Sequence, residues 1–172
     1  MKWIIPAVAA LLTLASAPAW ATDGQDVGFG VAAGIDYSQA DMIFEDDSNT
    51  SFAWGFFVDI PLAETFVLSP QTTIYELDFG SGNQAITDVG MNFKFVIPLR
   101  SLSLGAGILA GVTTGLGEYR LHYGALGQLN FNLISNIDGF VLAQFKRIDV
   151  GDDFMNEDIS KVHAFAGAMF RF

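Results

Sequence analysis

The chain contains no cysteine. That absence excludes a disulfide framework, a lipid-anchored N-terminal cysteine and a thiolate metal site. Cations are also scarce, with 8 lysines and arginines against 19 aspartates and glutamates and a formal net charge of −11. An acidic chain has no electrostatic footprint for phosphate, so no nucleic acid is expected as a partner. Although 51% of the residues are hydrophobic, there is no second long apolar run after the first residues of the chain. The nearest candidate, Leu102 to Leu116, is interrupted by Gly105, Gly107, Gly111 and Gly115. These glycines recur with a period of two instead of 3.6, which points to strand and not to a spanning helix.

What is present begins with MKWIIPAVAALLTLASAPAWA. One positive charge (Lys2) is followed by an apolar stretch from Trp3 to Ala15 and a small-x-small ending, Ala19-Trp20-Ala21. These three features describe a secretory signal peptide cleaved after Ala21. The apolar stretch is shorter than the roughly 20 residues a spanning helix requires. Residues 1–21 are therefore read as a cleaved signal peptide and residues 22–172 as one domain.

Alternation runs through that domain. Val27 to Tyr37 sets Val27, Phe29, Val31, Ala33, Ile35 and Tyr37 against Gly28, Gly30, Ala32, Gly34 and Asp36. Ser51 to Ile60 sets Phe52, Trp54, Phe56, Val58 and Ile60 against Ser51, Ala53, Gly55, Phe57 and Asp59. Phe66 to Phe79 alternates but changes phase: Phe66 and Leu68 share one parity, Tyr75, Leu77 and Phe79 the other, with Pro70 between them. A proline or a bulge is what such a slip requires, so a break is predicted there. Val89, Met91, Phe93, Phe95 and Ile97 define a fourth strand, with Asp88, Gly90, Asn92, Lys94 and Val96 opposite. The fifth runs from Leu102 to Val112 and the sixth from Tyr119 to Leu133, the latter with Arg120, His122, Gly124, Gln128, Asn130 and Asn132 on its polar face. The seventh, Phe140 to Asp149, is ambiguous. Val141, Ala143 and Phe145 are preferred for its apolar face, with Gln144 and Lys146 opposite, although Phe140 and Leu142 argue the other way. The eighth ends the chain as HAFAGAMFRF.

The connections also alternate. Pro61–Glu64, Pro98–Ser101 and Ser135–Asp138 read as tight turns, whereas Gln39–Thr50, Gly80–Gln84, Thr113–Glu118 and Gly151–Ser160 are mostly longer, two of them strongly acidic. Short connections on one side and long ones on the other predict an up-and-down meander with both termini at the short-turn end. The predicted fold is all-β: an eight-stranded antiparallel up-and-down transmembrane β-barrel. A soluble barrel buries its large apolar side chains and shows charge outside, while a membrane barrel does the reverse. Here one face carries nearly all the large apolar residues; the other carries the glycines, the amides and charges of both signs. A soluble protein could not expose the first face without aggregating. In lipid every backbone polar group must be paired, which a closed barrel achieves. Phe93 and Phe131 are predicted to meet lipid near mid-depth. Tyr37, Trp54, Tyr119 and Tyr123 read as half of an aromatic girdle by the long loops.

The last strand must pair with the first to remove both edges. Phe172, Phe170, Ala168, Ala166 and Ala164 fall at alternating positions counted from the end. In this the sequence resembles bacterial outer-membrane proteins, and in length and strand layout it is similar to the small eight-stranded barrels typified by the OmpA transmembrane domain and OmpX. The resemblance implies outer-membrane localisation and an assembly signal in Phe172, Phe170 and Ala168 that is read by the barrel-assembly machinery. It also implies periplasmic chaperones during biogenesis and a monomer surrounded by outer-membrane lipid and lipopolysaccharide.

By parity and height, Asp36, Glu76, Asp78, Asp88, Arg120, His122 and His163 are predicted to enter the lumen toward the long-loop rim, joined by Lys146. Lys94, Asp59 and Arg171 are placed lower. Isolated ions in a narrow lumen would be costly, so these groups are expected to pair as a structural ion network. Two histidines with a carboxylate could hold a metal, but no spacing or motif requires one. Some small barrels of this kind are lipid A-modifying enzymes with a histidine–serine pair on the lipid-facing side, whereas both histidines here have inward parity. The glycine pairs Gly80–Gly82 and Gly115–Gly117 lack the strand–helix context of a phosphate cradle and are read as loop. The acidic runs Glu45-Asp46-Asp47 and Asp152-Asp153 read as solvated loop surface. No catalytic residue, metal or cofactor is predicted. The expected function is that of a non-enzymatic barrel with acidic surface loops, contributing to envelope integrity or surface contacts. A lipid A-modifying enzyme and a narrow small-molecule channel are the alternatives.

Overall fold

The computed structural model describes residues 26–41, 46–78, 83–99, 102–149 and 158–172. The expected signal peptide, the run Asp152-Asp153 and Gly80–Gly82 lie outside these residues. Eight strands follow in chain order: β1 Gly28–Asp41, β2 Asp46–Ala63, β3 Phe66–Asp78, β4 Asn83–Leu99, β5 Leu102–Leu116, β6 Glu118–Ile134, β7 Ile137–Asp149 and β8 Asp158–Arg171. Each pairs antiparallel with its neighbours, and β1 pairs with β8, so the sheet closes into a barrel with no free edge. The backbone is thereby paired within the sheet, as a lipid environment demands.

Both ends of the barrel wall meet at the short-turn side. Gly28 lies opposite Arg171, and the Phe172 N–H donates to the Val27 carbonyl at 3.1 Å. The strands run further toward the long connections than alternation alone marked. The β1–β2 ladder continues to Asp41 opposite Asp46, so part of the acidic run Glu45-Asp46-Asp47 is strand and not loop. Gly115, expected in a loop, lies within β5, where the β5–β6 register shifts. Its φ of +107° is a conformation that a side chain would strain.

The two faces separate as the alternation of side chains along a pleated strand requires. Phe29, Val31, Ile35, Phe52, Trp54, Phe56, Phe93, Phe95, Leu104, Ile108, Leu121, Val141, Phe145 and Phe170 are exposed around the outside. In β7 the phase with Val141 and Phe145 outward is the one adopted, and Phe140, Leu142, Gln144 and Lys146 point in.

The predicted slip in β3 does not occur. The β3–β4 register is unbroken from Phe66 opposite Phe95 to Asp78 opposite Asn83, with Pro70 opposite Met91. Tyr75 therefore faces inward, 1% exposed, and Glu76 faces out. The reason is polar. Val67, Ser69, Gln71, Thr73 and Tyr75 form one continuous inward row, and the Tyr75 hydroxyl finds a carboxylate there. Phe131 also departs from expectation. It is paired with Leu102 and Gly139, beside the short turns and not at mid-depth. Phe93, opposite Ile108 and Leu68, occupies the middle of the wall.

The interior is less uniformly polar than expected. Phe57, Phe140, Leu142, Phe165 and Met169 form an apolar cluster inside the barrel. The small inward residues of β1 make room for it: a Cβ added at Gly30 would lie 3.0 Å from the Met169 side chain and 3.2 Å from the Phe140 ring. Large residues from β7 and β8 thus fill the space that glycine leaves on β1, which is how a narrow barrel reaches close packing.

Candidate functional site

Descending from the long-loop side, the inward side chains fall into three layers. The uppermost is ionic. Asp88 on β4 accepts from Lys146 on β7 at 2.9 Å, from Thr113 on β5 at 2.8 Å and from Tyr75 on β3 at 3.1 Å. Lys146 also donates to Thr73 Oγ1 at 3.2 Å. His122 Nδ1 on β6 lies 3.0 Å from Thr113 Oγ1. On the opposite wall, Asp36 on β1 sits 2.5 Å from His163 Nε2 and 3.6 Å from Lys161 Nζ, both on β8. Tyr75 joins the two groups: Lys161 Nζ lies 3.8 Å above its ring, and the His163 ring packs against its edge at 5.1 Å between centroids. The hydroxyl and the ring face of one tyrosine therefore serve an anion and a cation at once.

Thr113 also settles which way His122 is turned. A hydroxyl has one proton, and that of Thr113 goes to Asp88. The imidazole must then donate from Nδ1 to Thr113, and in the neutral ring Nε2 is the acceptor.

The middle layer is the apolar cluster together with amides. Phe57 meets Phe140 and Phe165 edge-on at 5.5 and 5.8 Å. Beside them Gln71 Oε1 accepts from Asn92 at 3.0 Å and from Gln144 at 2.7 Å. The lowest layer centres on Lys94, which donates to Asp59 at 2.6 Å and to Gln128 at 2.9 Å. Gln128 passes the chain to Asn130, and Asn130 to Ser103 at 2.9 Å. At the short-turn rim Arg171 pairs with Asp138.

Of the lumen residues predicted from parity, Asp36, Asp88, Lys94, His122, Lys146 and His163 are buried inside the barrel. Arg120 lies on the inward face of β6 and is half-buried. Glu76 is the correction: with no slip at Pro70 it is exposed on the outer face, where Asn83 donates to it at 3.3 Å. Asp78 ends β3 opposite Asn83, and its side chain lies outside the described residues. Lys161, Tyr75, Thr73 and Thr113 were missed. Lys161 precedes the stretch recognised as the eighth strand, and the false phase break removed Tyr75 and Thr73 from the inward face. Continuing the alternation two residues upstream of His163 would have found Lys161.

The arrangement neutralises charge inside the wall. Each buried carboxylate of the upper and lower layers lies beside a buried cation, and the polar neighbours of Asp88 and Lys94 saturate much of their remaining capacity, as buried ions require. Among the described residues no group of three or more histidines and carboxylates is disposed to hold a metal. Neither His122 nor His163 reaches the lipid-facing side.

By sequence, the chain matches no protein-family model and no curated protein. By structure, it is similar to Neisserial surface protein A (NspA), with a TM-score of 0.63 and 16% identity over 84% of this chain and 97% of that one. It is also similar to Ail, the attachment invasion locus protein of Yersinia pestis, with a TM-score of 0.52 and 14% identity over 86% of this chain and 100% of that one. At such identities the likeness is one of fold. That fold is the small eight-stranded barrel of outer-membrane proteins.

Proposed function

We propose that this protein is an integral barrel of the bacterial outer membrane, non-enzymatic and without an open pore, that serves envelope integrity or surface contacts from its long-loop rim. The observation that carries the reading is the inversion of the molecule. Its outside is a continuous apolar belt, and its inside is filled by ion pairs, amides and aromatic rings. Such a surface is stable only against lipid. The belt has interfacial groups at both ends: Tyr37, Tyr119 and Tyr123 toward the long loops, and Phe66, Phe95, Phe170 and Phe172 toward the short turns. These rings suit the boundary between lipid and water. Trp54, expected with the three tyrosines, stands instead at the middle of β2 opposite Ala33.

Its partners are then the lipid and lipopolysaccharide around the belt, with the barrel-assembly machinery and periplasmic chaperones during biogenesis. The outward row of β8, with Ala168 and Phe170, together with Phe172 just beyond it, is the surface proposed for reading by that machinery. A fully buried aromatic contributes about 1.5–3 kcal/mol, and Phe172, beyond the end of β8 and 71% exposed, contributes less, so Phe172→Ala should leave the refolded barrel nearly as stable as the wild type. Its abundance in outer-membrane fractions should fall. Wild-type abundance of that variant would remove the assembly role.

The decisive experiment on function joins three measurements on cells with and without the protein: membrane fractionation, the lipid A profile and sensitivity to envelope stress. The expected outcome is recovery in the outer membrane, an unchanged lipid A profile and altered stress sensitivity or surface adhesion. A changed lipid A structure would establish the enzyme instead. Stable large conductance steps from purified monomer in planar bilayers would establish the channel.

A further inference from the structure

Among the described residues, the wall between β2 and β3 lacks part of its ladder. The register runs from Ala53 opposite Tyr75 to Phe57 opposite Gln71 and resumes, unshifted, at Ile60 opposite Leu68. The pairs that would join Val58 to Pro70 and Asp59 to Ser69 are missing. On the other side of the same strand the ladder to β4 is unbroken, with Pro70 opposite Met91.

The phase of the backbone explains the gap. Residues along an antiparallel strand turn their N–H and C=O to one neighbour and then to the other. The Val96 N–H donates to the Thr65 carbonyl at 2.7 Å, so residues with the parity of Thr65 bond to β4. Pro70 has the other parity and faces β2. Proline has no N–H to give, which leaves the Val58 carbonyl without a ladder donor. The Asp59–Ser69 pairing depends on the same bond and is lost with it. Side chains do not replace the donor: Ser69 Oγ, Gln71 Nε2 and Thr72 Oγ1 are buried in the same stretch, each without a hydrogen-bond partner among the described residues. The gap lies inside the apolar belt, because its row passes through Phe29 and Val58 on one side and Met91 and Ala110 on the other.

We propose that the β2–β3 seam is a lateral opening device, which parts locally at Val58–Pro70 while the other seams stay closed. A carbonyl held unpaired in lipid is costly, so the closed seam gains less here than an intact ladder does, and local opening follows the weakest cooperative unit. Parting the strands brings the inward groups Asp59, Ser69 and Gln71 to the lipid boundary. The axial plug of Phe57, Phe140 and Phe165 belongs to the lumen and is not what opens.

The test is native-state hydrogen exchange, read by NMR on the whole isotope-labelled barrel in lipid nanodiscs. The amides that face the seam, Val58, Ile60, Leu68 and Thr72, should exchange faster than those of Phe93 and Ile108, which face each other across the intact β4–β5 seam. Pro70→Ala restores the missing N–H and should slow the seam amides roughly tenfold, the worth of one hydrogen bond, without changing Phe93 or Ile108. Pro70→Val supplies the same N–H if the alanine variant does not fold. A nitroxide on a phospholipid chain should broaden the Ser69 and Gln71 amides more in the wild type than in the variant. Seam amides as slow as Phe93 and Ile108, or unmoved by the restored N–H, would overturn the opening. Equal broadening in the two proteins would overturn its direction toward lipid.

Discussion

The two ionic layers of the lumen solve the same problem in different ways. Near the short turns, Lys94 and Asp59 make a compact pair whose neighbours are themselves saturated. Near the long loops, Asp36, Asp88, Lys146, Lys161, His122 and His163 are spread over β1, β4, β6, β7 and β8 and held together by Tyr75 and Thr113. The lower layer should behave as a replaceable part; the upper layer is a network in which one side chain has several dependants. A distributed network fixes the relative positions of many strands, but each member removed leaves others buried and unmatched.

The largest effect should come from breaking that network at its best-connected cation. Lys146→Met leaves Asp88 charged and buried without its ammonium, and removing one partner of a buried pair costs about 3–5 kcal/mol. Urea unfolding in lipid vesicles, followed by heat-modifiable gel mobility, measures it. A loss below about 1 kcal/mol would mean that the upper layer is solvated well enough to need no counter-charge. Next in size is a charge on the outside. Phe93 is 53% exposed at mid-wall, and Phe93→Arg should cost about 2–4 kcal/mol in a bilayer. The same substitution in detergent micelles should cost less, because a micelle deforms around a cation, so the difference between the two media isolates the lipid term.

Tyr75→Phe sharpens the comparison further. It keeps the ring beneath Lys161 and removes only the hydroxyl that donates to Asp88. The loss of one hydrogen bond to a charged group predicts about 1.5–3 kcal/mol, measured by the same unfolding assay. The smallest effect is expected for exchanging the lower pair as a whole. Asp59→Leu with Lys94→Met replaces the ion pair by apolar groups and leaves chiefly Gln128 to find a new partner, for a net change of about 1 kcal/mol or less. The corresponding double change, Asp88→Leu with Lys146→Met, strands Thr73, Tyr75 and Thr113 and should cost several times more. Equal costs for the two doubles would erase the distinction between a replaceable pair and a network.

Legibility in the sequence followed the contrast between the two faces of each strand. In β4 and β5 one parity is large and apolar and the other is glycine or polar, so face and phase were read correctly. In β3 both faces are mixed: Thr72 and Pro70 lie outward with Phe66, while Val67 and Tyr75 lie inward with Ser69 and Gln71. Polarity therefore carries no phase there, and the sheet accommodates Pro70 without the slip that a proline between two parities suggests. Phe140 and Leu142 blurred β7 for a different reason. They point inward because β1, two strands away around the barrel, offers Gly30 and Ala32, and no pattern within β7 reports what a neighbouring wall leaves free.

By itself the sequence determined the class of solvent and the fold. A period of two, with large apolar residues on one face and small or charged ones on the other, forces a closed sheet whose apolar side meets lipid, because backbone pairing and side-chain transfer energies are local properties of each strand. The tertiary structure decided which charges meet. Lys94 and Asp59 are 35 residues apart in sequence, and Lys146 and Asp88 are 58 apart. Their pairing depends on closure and on the stagger of eight strands around the barrel, which bring distant positions to one level. Only that shared geometry sets how deep a residue sits and what stands across the lumen from it.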